Sequence, residues 1–273
     1  MNAIGMNATG MRIGFCQFAP RFGDIEGNLE HVASALRRTR AELLVAPELA
    51  LSGYLFGSRR EVERLAEPLP GPATETLQRA ARASGCHLVI GLAERAGRRL
   101  FNSAALIGPQ GLLGRYRKLH LFAEEKLYFA PGDSGFPLFE VEGVKVGLLV
   151  CFDHMFPEAA RTLALAGAQL ICHPSNLVLP EYGQLTTRVR SIENRVFWVL
   201  ANRHGREERH GRSLRYTGCS QITASDGRIL ARAEAEADAV QVVEIDPAEA
   251  VNKKVTPYND LFGDRRPEAY RLR

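Results

Sequence analysis

Val144-Lys145-Val146-Gly147-Leu148-Leu149-Val150-Cys151-Phe152-Asp153-His154-Met155-Phe156-Pro157-Glu158 begins as an apolar, strand-like run broken only by Lys145 and Gly147. It stops at a thiol and passes into an amphipathic helix pattern. That change of period places Cys151 at a strand-to-helix corner, held by rigid elements on both sides, at the sheet edge where open α/β folds bind ligands. Pro157 suits a first helical turn, where its missing N–H has no intrahelical partner, and Asp153 is expected to cap that helix.

On the N-terminal side, residues 12–18 read as a strand, residues 27–40 as a helix with Leu29, Val32 and Leu36 on its apolar face, and residues 43–46 as the next strand. Residues 77–83 read as a helix, 87–93 as a strand, and 103–107 with 112–117 as a hairpin around Gly108-Pro109-Gln110-Gly111. A second hairpin pairs 138–141 with 144–150. Beyond the corner follow a helix over 157–166, a strand over 170–173, a helix over 188–195 and a strand over 197–201. Residues 218–223 and 240–245 are expected to pair around the turn Ser225-Asp226-Gly227. Strands that arrive both in βαβ units and in meanders predict an α/β fold with sheet layers covered by helices.

With 273 residues, 45% hydrophobic and 24% charged, the chain can bury one large α/β core. Residues 11–250 are expected to form a single domain, 1–10 a flexible extension rich in Gly and Asn, and 251–273 an arm that contributes to subunit contacts. Met1, Met6 and Met11 are alternative translation starts. The net charge of +4 is dispersed, without an aromatic-interleaved basic run, which argues against nucleic acid as a partner. Neither a signal-peptide pattern nor an apolar stretch of bilayer-spanning length is present, so no membrane association is expected. Cys16, Cys86, Cys151, Cys172 and Cys219 form an odd, widely spaced set without CxxC pairs, which suits a reducing cytoplasm better than a disulfide framework. His120, His154 and His173 lack the spacing of a zinc site, and neither metal nor cofactor is expected.

Three reactive residue types occupy equivalent places. Glu48 follows the strand 43–46, Lys118 the strand ending at Arg117, and Cys151 the strand ending at Val150. Side chains just beyond adjacent strand ends meet at one mouth of an α/β sheet. A thiol with a free pKa of about 8.5 is mostly protonated at neutral pH and needs a base and nearby positive charge to act as a nucleophile. Glu48 fits the base and Lys118 the charge. When a thiolate adds to an amide carbonyl or a nitrile carbon, the negative charge that develops can be met by Lys118 and the Phe152 backbone N–H. Taken singly, each residue has a bland reading: Cys151 a small buried hydrophobe, Glu48 a solvated loop carboxylate, Lys118 part of a basic face with Arg115 and Arg117. The apolar Leu49-Ala50-Leu51 after Glu48 predicts its burial. His120 and His173 read as structural histidines near the pocket, and the other four cysteines as strand-core residues. Arg188, Arg190 and Arg195 read as a partly exposed helix face, one of which could instead clamp a substrate carboxylate.

Pro47-Glu48-Leu49, Tyr116-Arg117-Lys118-Leu119-His120-Leu121-Phe122 and Cys151-Phe152-Asp153-His154-Met155-Phe156-Pro157-Glu158 resemble the three signatures of the nitrilase superfamily of carbon-nitrogen hydrolases. The resemblance covers nearly the whole chain and includes Phe129-Ala130-Pro131-Gly132-Asp133 and His173-Pro174-Ser175-Asn176. It implies a four-layer α-β-β-α sandwich, a Cys-Glu-Lys triad at Cys151, Glu48 and Lys118, a homodimer or higher even oligomer, and hydrolysis of non-peptide C–N bonds. A second family carboxylate falls on Glu125, next to Glu124, with the role of positioning substrate and Lys118. Tyr54, Phe122, His173 and Asn176 are expected at the substrate wall. The motifs are similar to those of the archaeal aliphatic nitrilase-like branch and of small-amide amidases and N-carbamoyl amide hydrolases. Many relatives carry Trp after the Pro-Ser-Asn segment; Leu177 stands there in this chain and implies a differently shaped wall.

The expected activity is cleavage of a small amide or N-carbamoyl compound through a Cys151 thioester, with release of ammonia. Nitrile hydrolysis through a thioimidate is the near alternative, and acyl transfer to an acceptor other than water shares the thioester. A catalytically silent interaction subunit is the alternative of another class; three reactive side chains at three equivalent strand ends argue against it.

Overall fold

The computed structural model describes residues 10–270. Met1, Met6 and most of the expected N-terminal extension lie outside the described residues, as do the last three residues of the arm. β1 (Met11–Gln17) leads through α1 (Ile25–Arg38) to β2 (Leu43–Val45), and α2 (Arg59–Leu65) and α3 (Pro72–Ser84) precede β3 (His87–Ala96), β4 (Arg99–Gly108) and β5 (Gly111–Arg117). After the short α4 (Glu125–Tyr128) come β6 (Leu138–Val141), β7 (Val144–Leu148), α5 (Pro157–Leu165), β8 (Leu170–Ser175), α6 (Tyr182–Asn194) and β9 (Phe197–Asn202). Then follow β10 (His204–Arg209), β11 (Arg212–Thr217), β12 (Gln221–Thr223), β13 (Ile229–Arg232), β14 (Ala239–Ile245), and the small pair β15 (Lys254–Thr256) and β16 (Asn259–Asp260).

Two six-stranded sheets carry the fold, in the orders β14-β1-β2-β3-β4-β5 and β13-β12-β9-β8-β7-β6. Each is built on a parallel trio, β1-β2-β3 in one and β7-β8-β9 in the other, flanked by antiparallel strands. Side-chain alternation shows why the strands stack as layers. Ile13, Phe15, Leu43, Val45 and Val89 turn toward the second sheet, while Cys16, Leu44, Leu88 and Ile90 turn toward α1 and α3. β1, β2 and β3 touch β8 and β9 across the inner layer, and α5 and α6 pack together on the outside of the second sheet. The architecture is therefore α-β-β-α. No helix among the described residues is long and apolar enough to cross a membrane.

Several boundaries differ from the sequence reading. α1 begins at Ile25, two residues early, because the Asp24 carboxylate accepts from the Gly27 N–H at 3.0 Å. α6 begins at Tyr182 instead of residue 188, and α2, β10, β11 and β13 carry too little apolar periodicity to stand out. The expected pairing of 218–223 with 240–245 does not form. β12 turns back onto the short β13 around Asp226, while β14 crosses to the other sheet and pairs antiparallel with β1, Met11 opposite Ile245. Local hairpin signals rank neighbours in sequence, and here a closer neighbour with an Arg-containing sequence takes the place. Asp153 does not cap α5, whose cap position is Phe156 with no side-chain bond. Cys219 is half-exposed in a loop with φ 51°, not a strand-core residue.

Candidate active site

The two sheets bring the ends of β2, β5 and β7 to one buried spot. Glu48 lies three residues past β2 and is fully buried, as the apolar residues after it predicted. The chain can pass so close to β3 because Gly91 stands there: a Cβ at that position would lie 2.3 Å from the Glu48 Cα. Lys118 leaves β5 and is 1% exposed, not on a solvated basic face. Its N–H donates to the Asn102 carbonyl at 2.8 Å and its carbonyl accepts from Gly132 N–H at 2.9 Å. Gly132 is needed for that approach, since a Cβ there would sit 2.0 Å from the Arg117 carbonyl oxygen.

The Lys118 ammonium bridges two carboxylates, donating to Glu48 Oε1 and to Glu125 Oε1 at 2.7 Å each. Glu48 Oε1 also accepts from Asn102 Nδ2 at 2.6 Å. Glu48 Oε2 and Asn102 Oδ1 are buried without a hydrogen-bond partner among the described residues. Glu125 Oε1 accepts in addition from the Tyr54 hydroxyl at 2.7 Å, and its Oε2 from the Phe122 N–H at 3.3 Å. The adjacent Glu124 is half-exposed and pairs with Arg212 instead. Packing thus separates these neighbouring glutamates, and Glu125 is the one that reaches Lys118.

Burial drives the proton affinity of Glu48 up; Lys118 opposes and Glu125 reinforces that shift. Burial also opposes the charge on Lys118, but Glu125 and Glu48 more than compensate and hold it as ammonium. Burial, then the charge of Glu48, push Cys151 well above its ordinary range, against the pull of Lys118 and of a hydrogen bond from the Asn176 backbone N–H. Cys151 therefore rests as a neutral thiol in a site that already contains an ammonium.

Cys151 itself has φ 43°, and Leu49 (φ 47°) and Ala123 (φ 45°) mark the loops that carry Glu48 and Glu125. Left-handed backbone at a non-glycine residue costs about 1–3 kcal/mol and persists only where the surroundings enforce it. For Cys151 that enforcement is visible. Cys151–Met155 forms a tight 3-10 turn closed by Asp153, whose Oδ2 accepts from Val150 N–H and from the Tyr116 hydroxyl at 2.9 Å each. Asp153 Oδ1 is 2.7 Å from His120 Nδ1, which ties the turn to the segment just beyond Lys118. His173, read both as a structural histidine near the pocket and as part of the substrate wall, is fully buried behind Cys151 and not on the wall, and donates from Nε2 to the Cys151 carbonyl at 2.8 Å. Burial and the neighbouring His154 pull its pKa down to about 3, so the ring is neutral.

The cleft over Cys151 is lined by Phe122, Phe152, Asn176, Leu177, Leu179 and Tyr182 among others, with no carboxylate, lysine or arginine in its wall. Phe122 also borders a second cleft of about 240 Å³ that contains Tyr54 and Glu125, with Arg212 in its lining. Arg188, Arg190 and Arg195 are engaged elsewhere, by the Gly227 carbonyl, Glu193 and the Asn252 carbonyl. The sequence reading missed Asn102 and the Asp153 network because a strand asparagine and a turn aspartate carry no signal of what they face.

The sequence model of the family described as carbon-nitrogen hydrolase matches residues 12–254. The chain is 40% identical over 264 residues to a protein of Pyrococcus abyssi called nitrilase, covering 95% of this chain and 99% of that one. It is 37% identical over 242 residues to an (R)-stereoselective amidase of Pseudomonas sp, covering 86% and 85%. Among solved structures, a mutant of the amidase from Nesterenkonia sp. AN1, with acrylamide added at its active-site cysteine, superposes with a TM-score of 0.77 at 29% identity, covering 94% of this chain and 97% of that one.

Proposed function

The chain belongs to the carbon-nitrogen hydrolases of the nitrilase superfamily, and from that premise we propose that it hydrolyses a small, uncharged, non-peptide amide through a thioester on Cys151. The observation that carries this reading is the buried Lys118 ammonium bridging Glu48 and Glu125 at 2.7 Å. Glu48, its proton affinity raised by burial, takes the Cys151 proton as sulfur attacks the amide carbon. The C–S bond forms and the carbonyl electrons move onto oxygen. An ammonium has three N–H bonds, and two of those of Lys118 are committed to carboxylates. The third, with the Phe152 backbone N–H, meets the oxyanion. Glu48 passes its proton to the leaving nitrogen, the C–N bond breaks and ammonia departs. Water then loses a proton to Glu48 and attacks the thioester, and the departing sulfur recovers that proton. Glu125 holds Lys118 in place, and Tyr54 holds Glu125.

The described wall over Cys151 includes no carboxylate, lysine or arginine, which supports an uncharged acyl group next to the thiol; an ionic far end would have to reach the adjoining cleft of Glu124, Glu125 and Arg212. The same thiol would turn a nitrile into a thioimidate, so substrate panels decide between them. Ammonia release from short aliphatic amides, N-carbamoyl compounds and aliphatic nitriles is expected to be fastest with the amides, with a covalent adduct on Cys151 in intact mass spectra. Turnover of nitriles alone would overturn the amidase reading. Tyr182, Leu185, Val189 and Ile192 form an exposed apolar stripe on α6, which supports pairing of two copies through this helix. A monomer in light scattering would contradict that pairing.

A further inference from the structure

We propose that Asn102 is a positioning residue that dictates which oxygen of Glu48 carries the proton, reserving Oε2 for the transfers and locking Oε1 as a permanent acceptor. The inference rests on the reading of Glu48 as the base for Cys151 and adds to it an atom and a residue. A carboxylate oxygen has two in-plane lone pairs. On Glu48 Oε1 both are filled, by Lys118 Nζ at 2.7 Å and Asn102 Nδ2 at 2.6 Å. Oε2 is equally buried and has no partner among the described residues. A proton arriving at Glu48 therefore binds Oε2 without breaking a hydrogen bond, whereas binding at Oε1 displaces a charge-assisted donor.

Asn102 is suited to the task by its place. It is 1% exposed, it sits on β4 between β3 and β5, and its own carbonyl accepts the Lys118 N–H at 2.8 Å. One residue thus fixes the backbone of the ammonium and the side chain of the carboxylate. In each half-reaction the proton leaves sulfur or water, resides on Oε2 and departs to nitrogen or back to sulfur, while Oε1 keeps the ion pair intact. With Asn102 removed, a lone pair opens on Oε1, and Glu48 gains a second place to hold a proton and loses a donor that favours its charged form. The other titratable groups facing Glu48 are Lys118, Glu125, Cys151, Tyr54 and Tyr216.

The test is the pH dependence of Cys151 carbamidomethylation by iodoacetamide, followed by mass spectrometry in the wild type, Asn102→Leu and Asn102→Ala. This readout requires no knowledge of the natural substrate. Neither variant adds a titratable group; if the larger one does not fold, the smaller one carries the test. The expected result is a fall of about 10- to 100-fold in rate at neutral pH, with the acid limb of the profile moved up by about one pH unit. A uniform loss with the limb unmoved would reduce Asn102 to a packing role and overturn the proposal, as would an unchanged profile. A Cys151→Ala protein that keeps full ammonia release would instead bring down the thioester reading itself, a result separable from either.

Discussion

Two buried ion clusters lie near each other and behave in opposite ways. Glu207, on β10, accepts from the backbone N–H of Tyr54 and Leu55, from Arg203 at 2.8 Å and from the Tyr216 hydroxyl at 3.0 Å. Both of its oxygens are occupied, and Arg203 is further held by the Pro20 carbonyl and by the face of Tyr216. The Lys118 cluster is buried as deeply, yet Glu48 Oε2 has no partner among the described residues and the ammonium keeps one N–H uncommitted. A buried charge with all its valences filled is scaffold. One with valences left over beside a thiol is poised to bond to whatever enters, which is how the Lys118 cluster differs from that of Glu207.

The contrast can be broken most forcefully at Cys151. Cys151→Ala is expected to lower ammonia release by at least about 10³-fold with the thermal midpoint little changed, since it removes a single buried sulfur at the edge of the core. Glu207→Ala should do the reverse. Leaving Arg203 buried without its carboxylate costs about 3–5 kcal/mol, read as a fall in the urea midpoint, with activity declining only as the Tyr54 loop loosens. A stable but inactive Glu207→Ala protein would show that the hairpin belongs to the reactive cluster after all.

Acid separates the two kinds of region again. An unfolded imidazole titrates at about 6.5, whereas His173 is pulled down to about 3 and His154 to about 4 in the fold, chiefly by burial. Between those values the unfolded chain binds more protons, so this contribution to stability is complete above about pH 6.5 and is lost as the pH falls. For His173 the loss is on the order of 2 kcal/mol by about pH 5. His173→Asn should flatten that slope in urea titrations at several pH values, and an unchanged slope would refute the assignment. The smallest effect is expected from Tyr54→Phe, which removes one donor from Glu125: about 1 kcal/mol, or a several-fold loss in kcat/KM. A loss as large as that of Cys151→Ala would mean that the phenol takes part in the chemistry directly.

Much of the α/β order was legible in the chain. The run from Val144 to Glu158, the helix after Pro157 and the strands of both parallel trios follow from hydrophobic period and turn residues. What escaped was what lacks period or depends on partners. β10 and β11 alternate too few apolar residues, α6 starts six residues before its expected position, and β14 chooses β1 in the other sheet over the nearer β12. At the candidate site, the chemical identities of Glu48, Lys118 and Cys151 pointed to the strand ends, but His173 lies behind Cys151 and not on the wall, and Asn102 carried no warning at all.

By itself the sequence determined which atoms are available: a thiol, a carboxylate and an ammonium, each placed after a strand. Those are properties of residue type and local period, and they survive without coordinates. Only the tertiary structure decided that one oxygen of Glu48 is filled while the other has no partner among the described residues, and that Cys151 adopts a left-handed turn which Asp153 ties to Tyr116 and His120. Each of these depends on hydrogen bonds between segments far apart in the chain, and no local propensity specifies the partner of a bond that forms only when two sheets close on each other.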